Sequence, residues 1–505
     1  MPFPAEISLN DLIDDPYPVY ARLRREAPVA RVPAAGLWLV TRFDDCAAVL
    51  GDREAFSGPQ GHPTLDRAFG APNVISATGE VHADLRRGID PGLCPAQARR
   101  LTEERVRPFA RALARALPSR DGVDLMSGYF APISTEALRA ALGITELVTA
   151  ETMQDWFDRF TVGSRNREQA AERYAVSDAV HEEIRETFGP LMARLRKRPD
   201  GSVLSHLLHS GRAPDDLREA DLVLPSITLM LVSGLQGAGG PAANTLAGLL
   251  SRPDQLARVI EDPQRFLPAA ISEALRWAPL FGTTQREAVH DTRVAGVELP
   301  ARAQIGVMIA SANRDERRYH DPDVFDLDRG SAAHQAFGGG AHFCAGHQLG
   351  RQVMRVSLAE LFAARPGLRP DPDRPVRFKG WSVRVPETLP VLWFPPGRPA
   401  PQAERAPGAS GNGPLPDAPI TVVLRRTGLT IDVPPDVSIL EAVEDCGVPV
   451  PSACREGSCG SCETRLLTGR ADHRDLLLTP EERERHDRLM ICVSRAETTT
   501  LELDL

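Results

Sequence analysis

Apolar positions recur at helical spacing through most of the chain before residue 395, and they alternate at strand spacing only in short patches. This pattern predicts helices over Ala98–Leu117, Glu136–Leu142, Glu182–Lys197, Ala220–Leu250, Pro268–Trp277 and Arg351–Ala363. A strand at Gly36–Val40 runs into a helix at Asp44–Leu50, and two more strands, Val294–Leu299 and Ala303–Met308, flank a turn at Pro300. Helix dominates, with a minor β portion and no internal repeat. Leu222 to Ser251 carries no charge and is long enough to cross a bilayer. It also contains Pro225, Ser233, Gln236, five glycines, Pro241 and Asn244, which suits a long buried helix in a large soluble core.

The periodic pattern stops at Pro396–Ala418, a segment rich in Pro, Gly and Ala that cannot bury a core and reads as a linker. Fully extended, its 23 residues reach roughly 75 Å at about 3.3 Å each. Beyond it the pattern changes. Ile420–Leu424 and Leu429–Val433 alternate as a hairpin around Thr427-Gly428, a short helix follows at Ile439–Asp445, and strands are predicted at Thr464–Leu467 and Leu501–Leu505. The chain therefore divides into residues 1–395, a flexible linker at 396–418, and a small α+β module at 419–505.

With 505 residues, 42% hydrophobic and 25% charged, the chain is neither disordered, collagen-like nor a disulfide miniprotein. Its net charge of −9 provides no basic footprint for nucleic acid. Residues 419–505 hold 16 acidic and 10 basic side chains, so about six of the nine negative charges sit there. The opening MPFPAEISLNDLIDD reads as neither signal peptide nor membrane anchor, so the expected compartment is the cytoplasm, with reduced thiols. Eight cysteines are present, and the last five fall within about fifty residues, a clustering that suggests metal.

One thiol stands in a glycine-rich loop. Phe337 to Gly346, FGGGAHFCAG, fits F-x-x-G-x-H-x-C-x-G at every specified position. Glycines let backbone N–H groups approach a sulfur, and a helix starting just after Cys344 would place its positive end on a thiolate and lower its pKa. His342 is placed to hydrogen-bond an anionic group. The loop resembles the haem-binding loop of cytochrome P-450 haem-thiolate monooxygenases. That resemblance covers about residues 8–395 and implies a mainly α fold with a minor β subdomain. It implies haem b with Cys344 on the iron and Phe337, His342 and Gly346 around it. His82 and Arg86, spaced i, i+4 in HADLRR, and Arg286, in TTQREA, match the family's propionate contacts. Glu273 and Arg276, three apart on one helix face, match a structural ion pair that the family completes with Arg329 from FDLDR. No C-x-x-C-H occurs, so covalent haem attachment is not expected.

The chain departs from the family on the oxygen side. The usual acid and threonine, which relay protons to dioxygen, are replaced by Gln236 and Gly237. Gln hydrogen-bonds but cannot donate a proton as an acid does. Pro241 lacks an N–H, so the carbonyl of Gly237 loses its helical partner and is free to join a water chain. Together with GEVHADLRRGIDPGLCPAQ, SRPDQLARVIEDP and EALRWAPLFGTTQR, Gln236 makes the chain look like actinobacterial enzymes that O-demethylate lignin-derived methoxyphenols, which also lack the acid–alcohol pair. That likeness implies a small aromatic substrate, contacted by Phe69, Phe281 and Thr284. Ser164 and Val383 stand where aromatics are expected, so the pocket is either larger or shaped for another substrate.

The second constellation is Cys454-x4-Cys459-x2-Cys462, then Cys492 after 29 intervening residues, the plant-type [2Fe–2S] spacing. Zinc is the alternative for four cysteines, but the spacing and β-rich surroundings favour iron–sulfur. CREGSCGSCETRLLTG, DHRD, CVSRA and LELDL resemble the β-grasp ferredoxin domain of phthalate-dioxygenase-type reductases, whose flavin and nicotinamide module is missing here. Cys446 reads as a buried helix residue rather than a fifth ligand, and Cys46 and Cys94 have no evident partner.

Two one-electron modules in one chain imply electrons from a separate NAD(P)H-dependent flavoprotein reductase, passed through the fused ferredoxin to the haem. The expected reaction is RH + O₂ + 2e⁻ + 2H⁺ to ROH + H₂O. On an aryl methyl ether it gives a hemiacetal that loses formaldehyde. Hydroxylation of a larger natural-product or phenolic substrate, a peroxide-driven peroxygenase, and a non-catalytic redox or gas sensor remain as alternatives. No membrane or nucleic-acid partner is expected.

Overall fold

The computed structural model describes residues 3–58, 63–118, 123–164, 166, 168–330, 333–393, 419–435, 437–446, 448, 450, 452, 457, 462–475 and 478–505. The expected linker at 396–418 lies outside them. Two compact units are present. Met1–Leu327, Ala336–Gly338 and Cys344–Pro401 form one, and Asp328–Gln335, Gly339–Phe343 and Gln402–Leu505 form the other.

The first unit is mainly helical. At its centre lies the stretch predicted as one helix over Ala220–Leu250. It is two helices, Ala220–Gly237 and Gly239–Leu250, interrupted at Ala238 (φ −112°, ψ −38°). Among the described residues this is the one stretch long and apolar enough to cross a membrane, with a mean hydropathy of 1.5. All twelve residues of its second half are buried in protein. A Cβ on Gly248 would stand 2.4 Å from the ring of Phe325, so the close approach there requires glycine. Leu246 of this half packs in one core with Phe130, Leu275, Phe325, Met354 and Leu361.

Several predicted boundaries move, each for a local reason. The Pro268–Trp277 helix begins five residues earlier, at Pro263, where the Asp262 carboxylate accepts from the Arg265 amide at 3.1 Å. Pro268 is carried inside the helix rather than starting it. Glu136–Leu142 extends back to Ala131, with Pro132 in the first turn, where its missing N–H costs nothing. Ala98–Leu117 is helical but passes through a π-helical turn at Thr102–Val106. Val294–Leu299 is not one strand. It is a hairpin of Thr292–Val294 and Val297–Leu299 turning at Ala295 (φ 49°) and Gly296 (φ 82°), the two positive-φ positions that a two-residue hairpin turn needs.

The minor β portion is a five-stranded sheet. Its order is Val29–Val32, Leu37–Val40, Gln304–Val307, Thr284–Ala288, Phe56–Ser57. In this sheet Arg286 lies opposite Ile305, which fixes the arginine in a buried position.

The second unit contains a five-stranded mixed sheet in the order Leu429–Val433, Ile420–Leu424, Thr500–Leu503, Glu463–Thr468, Arg488–Met490. Ile420–Leu424 and Thr500–Leu503 run parallel, and the other pairs are antiparallel. The predicted hairpin turns at Gly428 (φ 72°). The predicted helix spans Ile439–Asp445 and is closed by a reciprocal cap between Ser438 and Glu441. Val422, Val433, Leu440, Val443, Leu489 and Leu501 form its core.

Candidate functional site

Cys344 stands just ahead of the His347–Ala364 helix, with Gly346 at the helix N-cap. The Cys344 amide donates to the Phe337 carbonyl at 3.0 Å, which folds the loop back on itself. The ring of Phe337 packs edge-on against His347, with centroids 6.0 Å apart, and the Arg351 guanidinium stands 5.0 Å from its centre. Cys344 is exposed as a residue, yet desolvation of its sulfur by the surrounding loop pushes the thiol up, while the Gly346 N–H and the positive charge of Arg86 act the other way. The lowered thiol expected from the helix start is therefore not what the protein alone shows, since the net shift is upward. His342 sits in a short 3-10 turn, Gly340–His342, and is half-buried.

The three predicted propionate contacts come together. His82 and Arg86 share the Gly79–Ile89 helix, and Arg286 comes from the Thr284–Ala288 strand. Burial, with the charges of Arg86, Arg53 and Arg286 added, holds His82 down to about 4, so its imidazole is neutral at pH 7. Arg86 pairs with Asp90 at 2.8 Å. Arg286 is 5% exposed, and burial lowers it to about 10. Among the described residues its guanidinium has no carboxylate partner, and its one side-chain hydrogen bond goes to the Gln285 carbonyl at 2.8 Å. A buried cation with no counter-charge is costly on its own and suits a bound anion.

The Glu273–Arg276 pair is real and wholly enclosed. Arg276 is 0% exposed and holds the Glu273 carboxylate through two bonds of 2.8 and 2.7 Å. Its remaining N–H groups donate to the carbonyls of Asn313, Pro322 and Val324, and Glu273 accepts from the Asp326 amide. The pair thus pins the loop that runs toward Arg329, which is half-buried.

On the Ala220–Gly237 helix, Gln236 and Gly237 are both half-buried at the helix end. Among the described residues the Gln236 side-chain amide makes no hydrogen bond. An added Cβ at Gly237 would meet nothing within 4 Å, and the same holds at Gly346 and Gly350. Gly239 differs, because a Cβ there would lie 2.5 Å from the Phe130 carbonyl oxygen. Ser134, on the Ala131–Leu142 helix, enters the break. It accepts from the Ala238 amide at 3.3 Å and offers its hydroxyl to the Gly234 carbonyl at 3.4 Å. Sequence reasoning missed Ser134, since nothing in APISTEALRA signals a contact a hundred residues away.

Sequence reasoning also missed the bond that anchors the His82 helix. Arg218, fully buried, grips Asp84 through its Nε and Nη2 at 2.9 and 3.0 Å and donates to the Leu207 carbonyl. Arg212 adds a third bond to Asp84 at 2.7 Å. Burial works to raise the Asp84 carboxyl, but these arginines outweigh it and hold it at about 2.

The five predicted substrate positions fall into two groups. Phe281 and Val383 form an isolated antiparallel bridge, supported by the Gly282 amide donating to the Ser382 carbonyl at 2.9 Å. Thr284 opens the next strand and is half-buried. Phe69 is buried, with its ring 6.1 Å from that of Phe160. Phe160 is on the Ala150–Ser164 helix, one turn before Ser164, whose hydroxyl donates to the Thr161 carbonyl. Phe281 is 38% exposed.

In the small module, antiparallel pairing of Glu463–Thr468 with Arg488–Met490 brings Cys462 and Cys492 together at the ends of neighbouring strands. Both are buried. The Gly457 amide donates to the Cys492 sulfur at 3.3 Å. Gly457 has φ +69°, and an added Cβ would stand 2.6 Å from Val493 and 3.0 Å from the Asp475 backbone, so the loop needs glycine there. Cys454 and Cys459 lie outside the described residues. Cys446 is exposed at the helix C-cap and not buried as expected, because the Ile439–Asp445 helix ends one residue before it. Cys46 is buried, its thiol donating to the Val40 carbonyl, and Cys94 caps the Pro95–Leu101 helix.

These residues fit both groups. An uncompensated buried cation beside His82 and Arg86, and open Cβ space at Gly237 and Gly346, suit a flat dianionic macrocycle next to Cys344. Two buried cysteines on adjoining strands, one already accepting a backbone N–H, suit a small iron–sulfur cluster. The geometry is that of a haem-thiolate protein carrying its own ferredoxin domain.

Comparison with known proteins agrees. Residues 264–364 match the family Cytochrome P-450, and residues 422–497 match the 2Fe-2S iron-sulfur cluster binding domain. Nocardicin C N-oxygenase of Nocardia uniformis subsp. tsuyamanensis is 33% identical over 403 residues, covering 75% of this chain and 96% of the relative. Mycinamicin IV hydroxylase/epoxidase of Micromonospora griseorubida is 32% identical over 393 residues, covering 74% and 94%. Full-length CYP116B46 from Tepidiphilus thermophilus superposes on the whole of both chains with a TM-score of 0.71 at 19% identity, which speaks for the fold. The chain belongs to the cytochrome P-450 family of haem monooxygenases, with a [2Fe–2S] domain fused behind the haem domain. That pairing implies dioxygen use and electron transfer from a reductase partner.

Proposed function

We propose that this enzyme inserts one oxygen atom of dioxygen into a small aromatic substrate, and that its reaction is oxidative O-demethylation of an aryl methyl ether with release of formaldehyde. An accessible aromatic ring at an expected contact position carries this reading: Phe281, bridged to Val383, while Phe69 is buried against Phe160. When bound, haem supplies activation of dioxygen with Cys344 as the iron ligand and electron donor to it. The chain's own residues do the rest. His82, Arg86 and Arg286 hold the propionates, with Phe337, His342 and Gly346 around the thiolate. The Glu273–Arg276 pair, joined by Arg329, keeps the loop below in place. Gln236 orients water at the end of its helix, and the Gly237 carbonyl, without a donor from Pro241, accepts from that water. Cys454, Cys459, Cys462 and Cys492 hold the cluster, and residues 396–418 tether it to the haem domain, raising its effective concentration there. Electrons come from a separate NAD(P)H-dependent flavoprotein in the cytoplasm.

Optical titration of the ferric protein with methoxyphenols, methoxybenzoates, alkylphenols and larger phenolics tests the proposal. A tight low-spin to high-spin shift with a methoxy-aromatic, followed by formaldehyde in turnover, is the expected result. A shift only with larger compounds sinks the demethylase reading. It would select the second reading, oxygenation of a natural-product substrate. That reading is favoured by the small, half-buried Ser164 and Val383 and by the names of the two relatives above.

A further inference from the structure

The Ala238 N–H and the Gly234 C=O are the donor and acceptor that an unbroken helix would join, being four residues apart. They do not meet. The Ser134 hydroxyl stands between them, accepting from one at 3.3 Å and donating to the other at 3.4 Å. A side chain inserted in this way is a known physical cause of a sharp helix break. Ser134 itself is 1% exposed and comes from a different helix, Ala131–Leu142, which follows the π-helical turn Met126–Phe130. The contact is closely held, since a Cβ on Gly239 would lie 3.1 Å from the Ser134 Cβ and 2.5 Å from the Phe130 carbonyl oxygen. Gly237, between the separated groups, borders open space.

We infer that Ser134 is a positioning residue for oxygen activation, a wedge from a neighbouring helix that holds the turn around Gly237 open. It acts through backbone groups and does not touch the reacting atoms. The chain has no acid–alcohol pair at 236 and 237, so this segment orders water beside the haem with the open backbone and the Gln236 side chain. Pro241 alone does not explain the break. It removes the donor to the Gly237 carbonyl, but the rung lost to Ser134 lies three residues earlier. The inference rests on the haem-monooxygenase reading above.

The test compares full-length wild type, Ser134→Ala and Ser134→Thr, each loaded with haem and cluster. A surrogate NADPH-dependent ferredoxin reductase supplies electrons, and 2-methoxyphenol serves as probe. Two readings are taken: hydrogen peroxide released per NADPH consumed, and hydrogen exchange of the Ala238 amide. Ser134→Ala is expected to raise the peroxide fraction several-fold and to speed Ala238 exchange by about tenfold, the loss of one buried hydrogen bond. Ser134→Thr, which keeps the hydroxyl, restores both. An unchanged peroxide fraction in Ser134→Ala overturns the inference. So does a raised fraction that Ser134→Thr leaves uncorrected, or one with unaltered Ala238 exchange, because either assigns the defect to general packing. The ferrous carbonyl spectrum separates this from failure of the haem reading, which would show as a wild type with no thiolate-type Soret band.

Discussion

Ser134 and Ala238 are 104 residues apart in sequence, and the hydroxyl of one takes the amide hydrogen of the other at 3.3 Å. This bond places the break in the central helix at Ala238, so glycines two residues apart have opposite requirements. Gly237→Ala meets no atom within 4 Å and should leave stability unchanged or raise it by up to about 1 kcal/mol, the helical preference of Ala over Gly. Gly239→Ala drives its Cβ against the Phe130 carbonyl and should cost about 1–3 kcal/mol. Urea unfolding of the two variants checks the contrast, and equal effects would contradict the packing described.

Open space at Gly237 also makes an alcohol admissible where the family carries one. Gly237→Thr should fold with stability within about 1 kcal/mol of wild type and shift the partition of electrons between peroxide and product. Gln236→Ala should change the same partition with the substrate-induced spin shift intact. If product formed per NADPH is unaltered in both variants, residues 236 and 237 have no part in proton delivery.

Asp84 links stability to pH. Its carboxyl is held at about 2 in the fold, below the ordinary value of 3.8, so its contribution is present above pH 3.8 and is lost as pH falls through about 2. The shift corresponds to about 2 kcal/mol at pH 7, at roughly 1.4 kcal/mol per unit. Asp84→Asn should cost at least about that much, because it also leaves the buried Arg218 without a counter-charge. The gap between wild type and variant, followed by denaturant titration from pH 7 to pH 2, should narrow below pH 4.

The buried Glu273–Arg276 pair should behave more severely. Glu273→Ala strands a guanidinium that is 0% exposed, and about 3–5 kcal/mol should be lost. Thermal unfolding of the haem domain, read by loss of the Soret band, measures it.

In the small module, Cys462→Ser and Cys492→Ser should abolish the cluster's electron paramagnetic resonance signal, while Cys446→Ser and Cys94→Ser keep it. Gly457→Ala should lower cluster content at equal protein yield, since its Cβ meets Val493 and the Asp475 backbone at a positive φ. A full signal from Gly457→Ala would mean that the loop has room to give.

What the sequence determined by itself is the chemistry, because that chemistry is local. The Cys344 loop, the Cys459–Cys462 spacing and the i, i+4 placement of His82 and Arg86 are readable from residue types a few positions apart. Long helices were legible for the same reason, since apolar periodicity is a property of one segment. Their starts were less so. Asp262 capping Arg265 and Pro268 lying inside a helix depend on which competing cap the packed chain adopts. Only the tertiary structure decided where the long apolar helix breaks, which carboxylate Arg218 holds, and that Phe281 meets Val383. Those are contacts between segments about a hundred residues apart or more. Their energy comes from burial and from hydrogen bonds made in an interior without competing water, and neither has a signature in the spacing along the chain.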